Sequence, residues 1–320
     1  MDKQYVAGID IGGQTSKLGI VDARGTVISQ TTIRTDIHTD VNLFIEDLSN
    51  ALAKIAEEVG GMDKLRGIGI GAPNGNYYTG TIENAVNLVW GGCNAIPFAK
   101  LMREKTGVPV ALTNDANAAA VGEMTYGAAR GMKNFIMITL GTGVGSGIVI
   151  NGDVVYGHDG FAGELGHTTA VRNNGRLCNC GRIGCLETYT SAIGVARTAR
   201  EWLESSEEPS ILREIPEAIT SKDVYEAAAQ GDALAIKVFE YTGNKLGESF
   251  AEFLAFSAPE AIVLFGGLAR SGNLLLKPIE EHMNANLLPL WRNKIKIIFS
   301  QLKESDAAIL GASALGWEIK

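Results

Sequence analysis

The stretch that most restricts how this chain can fold runs from Glu164-Leu-Gly-His167 to Cys178-Asn-Cys180-Gly-Arg-Ile-Gly-Cys185-Leu-Glu187. One histidine and three cysteines fall within nineteen residues, with the cysteines spaced by two and then five positions. A short loop can turn those thiolates toward a single point. Four nitrogen and sulfur ligands in tetrahedral array are what a structural Zn²⁺ takes, so His167, Cys178, Cys180 and Cys185 are its expected ligands. A loop locked in this way also fixes the direction of neighbouring carboxylates. Glu164 and Glu187 each lie within three residues of a ligand; without the metal they would read as ordinary surface acids. The fourth cysteine, Cys93, is remote and reads as a buried free thiol. A metal site in a reducing compartment accounts for the set better than a disulfide framework does.

At 320 residues the chain has room for two domains. It is 46% hydrophobic and 20% charged, the composition of a packed protein rather than a disordered one. The net charge of −8 argues against a nucleic-acid or anionic-membrane surface. An anionic ligand would therefore need help from backbone N–H groups or a metal. Tyr5-Val-Ala-Gly-Ile-Asp10 reads as a strand almost at once, with no leader pattern before it, and no apolar run reaches membrane length. The expectation is a cytoplasmic protein.

Residues 4–10, 17–22 and 26–33 alternate apolar and polar between Gly-rich turns, which predicts three antiparallel strands. Val41, Phe44, Ile45, Leu48, Leu52, Ile55 and Val59 follow helical spacing over 40–59. Strands at 66–71 and 108–113 bracket a helix at 97–106. An Ala-rich helix opens at Asn114-Asp115 and runs to about 128. Strands at 134–140 and 144–150 flank Gly141-Thr-Gly-Val-Gly145, and Asn151-Gly152 marks a hairpin turn. Helices at 190–205, 221–230, 232–256, 273–288 and 305–317 and strands at 260–265 and 294–299 complete the reading. The polar, Pro-containing segment 205–220 reads as a mobile excursion.

Ala7–Val21 and Phe135–Val149 share one plan of strand, glycine turn and strand, 128 positions apart, with Gly13 over Gly141 and Gly19 over Gly147. Two αβ domains, each presenting a glycine hairpin to a shared cleft, would give this echo. Asp10-Ile-Gly12-Gly13 and Gly141-Thr142-Gly143 could each cradle phosphate on successive N–H groups, although tight hairpins alone give the same pattern. Neither is followed by the Lys-Ser/Thr of a Walker loop. Asp10, at a strand end beside the first turn, could hold a water of Mg²⁺. Gly266-Gly267 after an apolar strand could let a nucleoside lie against backbone. Asn114 and Asp115 are both favoured helix caps; Asp115 at a strand-to-helix junction could instead take a proton from an attacking hydroxyl.

Together these segments resemble the ROK family of sugar kinases, repressors and uncharacterised relatives, over essentially the whole chain. The resemblance rests on Asp10-Ile-Gly-Gly, Asn114-Asp115-Ala-Asn117, Gly141-Thr-Gly-Val-Gly145, Glu164-Leu-Gly-His167, the Cys178–Glu187 run and Gly266-Gly267. It implies an α/β, actin-like ATPase or hexokinase-type fold of two αβ domains around a central cleft. A smaller N-terminal domain would span 1–115, joined by the C-terminal helix at about 305–320; a larger one, bearing the zinc loop, would span 116–304. The resemblance makes Asp115 the general base, with Asn114, Glu164, His167, Glu187 and, from the segment before Trp90, Asn87 on the sugar hydroxyls. Gly12, Gly13, Gly141, Thr142 and Gly143 would face the phosphates of ATP, and Gly266 and Gly267 its nucleoside. The family places Thr directly after the paired glycines; here Gln14 stands there and Thr15 follows, so a hydroxyl on phosphate would have to come from Thr15. The implied activity is ATP- and Mg²⁺-dependent phosphorylation of a hexose, most simply glucose to glucose 6-phosphate at the head of glycolysis, with a structural Zn²⁺. N-acetylhexosamine, mannose, allose and fructose kinases are alternatives, because the same residues recognise hydroxyls common to several sugars. A sugar-sensing regulator is a further one, disfavoured because the chain opens on its first strand with no DNA-binding helix-turn-helix ahead of it. The resemblance also implies a homodimer or homotetramer.

Overall fold

The computed structural model describes residues 3–92, 94–216 and 218–319, so the reading of Cys93 lies outside the described residues. It divides into two compact units, one of Met1–Met132, Gly147–Gly163 and Ser300–Lys320, the other of Lys133–Ser146 and Glu164–Phe299.

In the first unit, five strands lie in the order Val27–Arg34, Thr15–Asp22, Tyr5–Ile11, Leu65–Gly71, Val110–Thr113. The first three pair antiparallel and the last two join in parallel, as a meander followed by crossovers requires. The alternation of side chains along a strand sets what each face does. Ala7, Ile9, Ile11, Leu18, Ile20, Ile68 and Ile70 share one buried cluster with Phe44, Ile45, Leu48, Leu52 and Ile55 of the helix Val41–Ala56. Asp40 caps that helix, accepting from the Asn42 N–H at 2.7 Å.

The opposite face is glycine-lined at its middle, with Val6 and Val21 packed on Ile309 and Leu310. Gly19, Gly8 and Gly69 stand side by side in register across three strands. The C-terminal helix Glu304–Glu318 lies on this row. A Cβ on Gly8 would fall 2.1 Å from the Ile309 carbonyl oxygen, and one on Gly69 1.9 Å from that of Ala312. Only glycine allows helix backbone this close to sheet backbone. The helix Asp115–Tyr126 packs beside it, where a Cβ on Gly122 would meet the Gly311 Cα at 2.6 Å. This packing carries the first unit past residue 115 to Met132, so residues 116–132 lie with the N-terminal sheet.

A second sheet runs in the order Asp153–Val154, Val144–Ile150, Phe135–Leu140, Ala261–Phe265, Lys296–Phe299. Its last three strands are parallel. Membership of the strand Val144–Ile150 is split, with residues from Gly147 onward counted in the first unit. The second unit adds the helices Ala192–Ser205, Ser221–Ala229, Ala233–Ser257 and Asn273–Asn286. The segment read as a mobile excursion is held instead. Asp232 accepts the Ala235 N–H at 2.9 Å as the helix cap and the Ile211 N–H at 2.7 Å with its other oxygen. Glu208 pairs with Lys237 at 2.8 Å, and Leu212 is buried. These tethers lie far apart in sequence, which is why local composition did not reveal them. Among the described residues, no helix is long and apolar enough to cross a membrane.

Candidate active site

Strand alternation that points Gly8 at the C-terminal helix points Asp10, two residues on, the same way. Asp10 pairs in register with Lys17 on one side and Gly71 on the other. Gly71 stands between Asp10 and the start of the helix Asp115–Tyr126: a Cβ there would lie 3.9 Å from Asp10 Oδ1, 3.6 Å from the Asp115 Cα and 3.2 Å from the Ala118 Cβ. Two carboxyls are thus held close. Burial, helped by the charge of Asp115 and opposed by Lys17, pushes Asp10 up to about 6.

At the helix start the two candidate caps divide the work. Asn114 is the cap, its Oδ1 accepting the Asn117 N–H at 2.7 Å. Asp115 is the first helical residue, with Oδ1 on the Ala116 N–H at 2.8 Å. The Asp115 side chain keeps an exposed surface, yet dense protein around it deprives the carboxylate of hydration and raises its pKa.

The first glycine turn is closed by the Gly12 N–H on the Thr15 carbonyl at 3.0 Å. Thr15 and Gln14 are exposed, and the Gln14 carbonyl accepts the Thr35 N–H at 2.8 Å. Ser16 is turned inward onto the Thr35 hydroxyl at 2.7 Å. Asn87 arrives by backbone: a Cβ on Gly13 would lie 2.9 Å from the Asn87 carbonyl oxygen, and the Asn87 side chain is exposed.

In the second unit the Gly141-Thr-Gly turn is closed by the Gly141 N–H on the Gly143 carbonyl at 3.0 Å, with Thr142 exposed. The Gly141 carbonyl accepts the Ala192 N–H at 2.8 Å, and the Val144 N–H donates to Glu187 Oε2 at 2.9 Å. Gly266 adopts φ 103° and packs on the strand before this turn, a Cβ there falling 2.5 Å from the Leu140 carbonyl. Gly267 lines a cavity of 350 Å³ with Leu268, Arg270, Lys222, Tyr225 and Glu226. Nothing local in the sequence marked Lys222, Tyr225 or Arg270, because helix and turn meet only in the fold.

The Cys/His loop closes as its spacing suggests. The Cys178 N–H donates to the Arg182 carbonyl at 2.8 Å, and the Gly181 N–H, at φ 86°, to the Cys178 carbonyl at 2.9 Å. His167, Cys178, Cys180 and Cys185 bring one ligand atom each to within 4.8 Å of one another. Cys180 Sγ lies 3.7 Å from Cys185 Sγ, and Cys178 Sγ 3.7 Å from His167 Nδ1. Thiolates on a tetrahedral ion at its usual bond length sit about 3.8 Å apart, so the donor set fits such an ion. The second ring nitrogen, Nε2, faces Glu164 Oε2 at 4.0 Å. Beneath the loop, Arg176 is buried and donates to the Thr188 carbonyl at 2.8 Å, the Thr198 hydroxyl at 2.9 Å and Glu201 at 2.5 Å. Its guanidinium lies 4.6 Å from the Tyr189 ring centre. The sequence reading passed over this arginine.

A model of the ROK family matches residues 6–318. A glucokinase from Halalkalibacterium halodurans is 38% identical, over 100% of this chain and 96% of its own length. A crystal structure of a ROK family glucokinase from Streptomyces griseus, in complex with glucose and AMPPNP, is 31% identical with a TM-score of 0.80, covering 98% of this chain and 100% of its own. A xylose repressor from Caldicellulosiruptor bescii is 28% identical over 98% of this chain and 78% of the repressor. The fold is therefore the actin-like ATPase, hexokinase-type fold expected from the motifs.

Proposed function

The chain belongs to the ROK family, and we propose that it is a glucokinase, which moves the γ-phosphoryl group of ATP to the 6-hydroxyl of glucose. It is a hexose phosphotransferase whose full length aligns with glucokinases at 32–38% identity. The observation that carries the chemistry is the division of labour between Asn114 and Asp115. Because Asn114 caps the helix, Asp115 is left to act as a base, and poor solvation raises its pKa above the ordinary carboxylate value, which makes it a stronger proton acceptor.

In this reading Asp115 accepts the hydroxyl proton as that oxygen bonds to the γ-phosphorus and ADP departs. Glu164, His167, Glu187, Asn114 and Asn87 bind sugar hydroxyls. The amides of the Gly12-Gly13 and Gly141–Gly143 turns hold the phosphates, with the exposed Thr15 and Thr142 hydroxyls beside them. The cavity at Gly267 takes the nucleoside between Tyr225 and Leu268, with Gly266 letting it reach the phosphate turn. Asp10 would hold Mg²⁺, which supplies neutralisation of phosphate charge when bound. The Cys/His site would hold Zn²⁺; four protein ligands leave no open position, so its part is to brace the loop. Cytoplasmic location and assembly as a dimer or tetramer belong to the same reading.

A coupled ADP-release assay across glucose, mannose, fructose, allose and N-acetylhexosamines tests it. Glucose should give the highest kcat/KM. A higher value for an aminosugar would reassign the substrate, and sugar binding without ADP release from any of them would remove the kinase assignment.

A further inference from the structure

We propose that Glu187 is a positioning residue that ties the metal-bearing loop to the Gly141–Val144 turn, so that filling the metal site sets how tightly the turn holds a nucleotide. This rests on the kinase reading above, and it gives Glu187 a task besides any contact with sugar. Its two carboxylate oxygens point to different partners. Oε2 accepts the Val144 N–H at 2.9 Å, and Oε1 lies 3.8 Å from Cys178 Sγ. A Cβ on Gly143 would fall 2.5 Å from Oε2, so glycine there makes room for the carboxylate against the turn.

Two more contacts make loop and turn one piece. The Gly141 carbonyl accepts the Ala192 N–H, just beyond the short helix Glu187–Thr190. A Cβ on Gly166 would lie 2.1 Å from the Val144 carbonyl, so the Glu164–His167 segment rests on the exit of the same turn. A filled metal site takes the Cys178 thiol proton, so the link runs through the chain: Cys185 is anchored, and Glu187 follows it by two residues. Glu187 passes that anchoring to the Val144 amide and so orients the neighbouring Thr142 and Gly143 amides.

The test is binding of a non-hydrolysable ATP analogue with Mg²⁺ and no sugar, followed by calorimetry on the full chain. Zinc-loaded and chelator-stripped forms of wild type, Glu187→Gln and Glu187→Ala are compared, each checked for folding by circular dichroism. Stripping should weaken wild-type binding about tenfold, the scale of one hydrogen bond to a charged group. Glu187→Ala should lose a similar factor while loaded and little more when stripped. Glu187→Gln keeps an acceptor oxygen and should bind close to wild type when loaded. Unchanged wild-type affinity after stripping overturns the inference, as does loaded Glu187→Ala binding like wild type, which would leave Glu187 a sugar ligand alone. If Glu187→Ala does not fold, the wild-type and Glu187→Gln arms decide. Loaded wild type that binds no nucleotide would overturn the kinase reading itself, a different signature.

Discussion

His167 turns Nδ1 to 3.7 Å from the Cys178 sulfur and Nε2 to 4.0 Å from the Glu164 carboxylate. One ring therefore links the thiol cluster to an acid assigned to the sugar. If Nδ1 binds a metal, the tautomer and direction of the other nitrogen are fixed. The chain should carry about one zinc, and Cys180→Ser or chelation should lower both the zinc content and glucose affinity. Elemental analysis beside a glucose titration measures both; a metal-free protein that binds glucose as well as the loaded one would end the bracing role.

Asp115→Asn keeps shape and removes the base. Turnover should fall by a factor of about a hundred or more while glucose affinity changes little. The ADP-release assay and equilibrium glucose binding together check this, and near-wild-type turnover would take Asp115 out of the reaction.

The raised pKa of Asp115 also fixes the sign of the acid limb. Activity should fall as pH drops through that pKa, above the ordinary carboxylate value of about 4. A kcat/KM profile that stays flat down to the ordinary value would contradict the desolvated base.

Asp10 has a stability consequence of the opposite sign to a salt-bridged carboxylate. Its pKa is near 3.8 in the unfolded chain and about 6 in the fold. Its protonated form fits the fold well, and that advantage is lost as pH rises from the first value through the second. Asp10→Asn should therefore stabilise the ligand-free protein by roughly 1–3 kcal/mol at pH 8, with a smaller gain at pH 5, while abolishing activity. Thermal melts at the two pH values decide it; equal gains would dismiss the desolvated acid pair.

Arg176→Ala strips the loop of its buried anchor and should cost about 2–4 kcal/mol. Arg176→Lys should recover little, because one ammonium cannot reach the Thr188 and Gly194 carbonyls, Thr198 and Glu201 together. Denaturant unfolding gives the difference, and a lysine variant as stable as wild type would refute the forked arrangement.

What was legible in the sequence was local. The opening meander, the helices with periodic apolar faces and the Cys/His spacing each announce themselves within one short stretch of chain. The Asn114–Asp115 pair was recognisable as a junction, but which of them capped the helix needed backbone geometry. Glu187 could be flagged by its neighbours, whereas its bond to Val144 spans 43 positions and depends on the sheet. Lys222, Tyr225 and Arg270 come together only because a helix and a strand end meet. The segment before Ser221 looked unanchored because its anchors, Asp232 and Lys237, lie beyond it.

The glycine row beneath the C-terminal helix bears on how the molecule is made. The sheet of the first unit starts at Tyr5, but its second face is covered by Glu304–Glu318. During synthesis, those strands leave the ribosome with one side open to water until the residues through Glu318 have followed. That sheet is thus finished only after the second unit has been made.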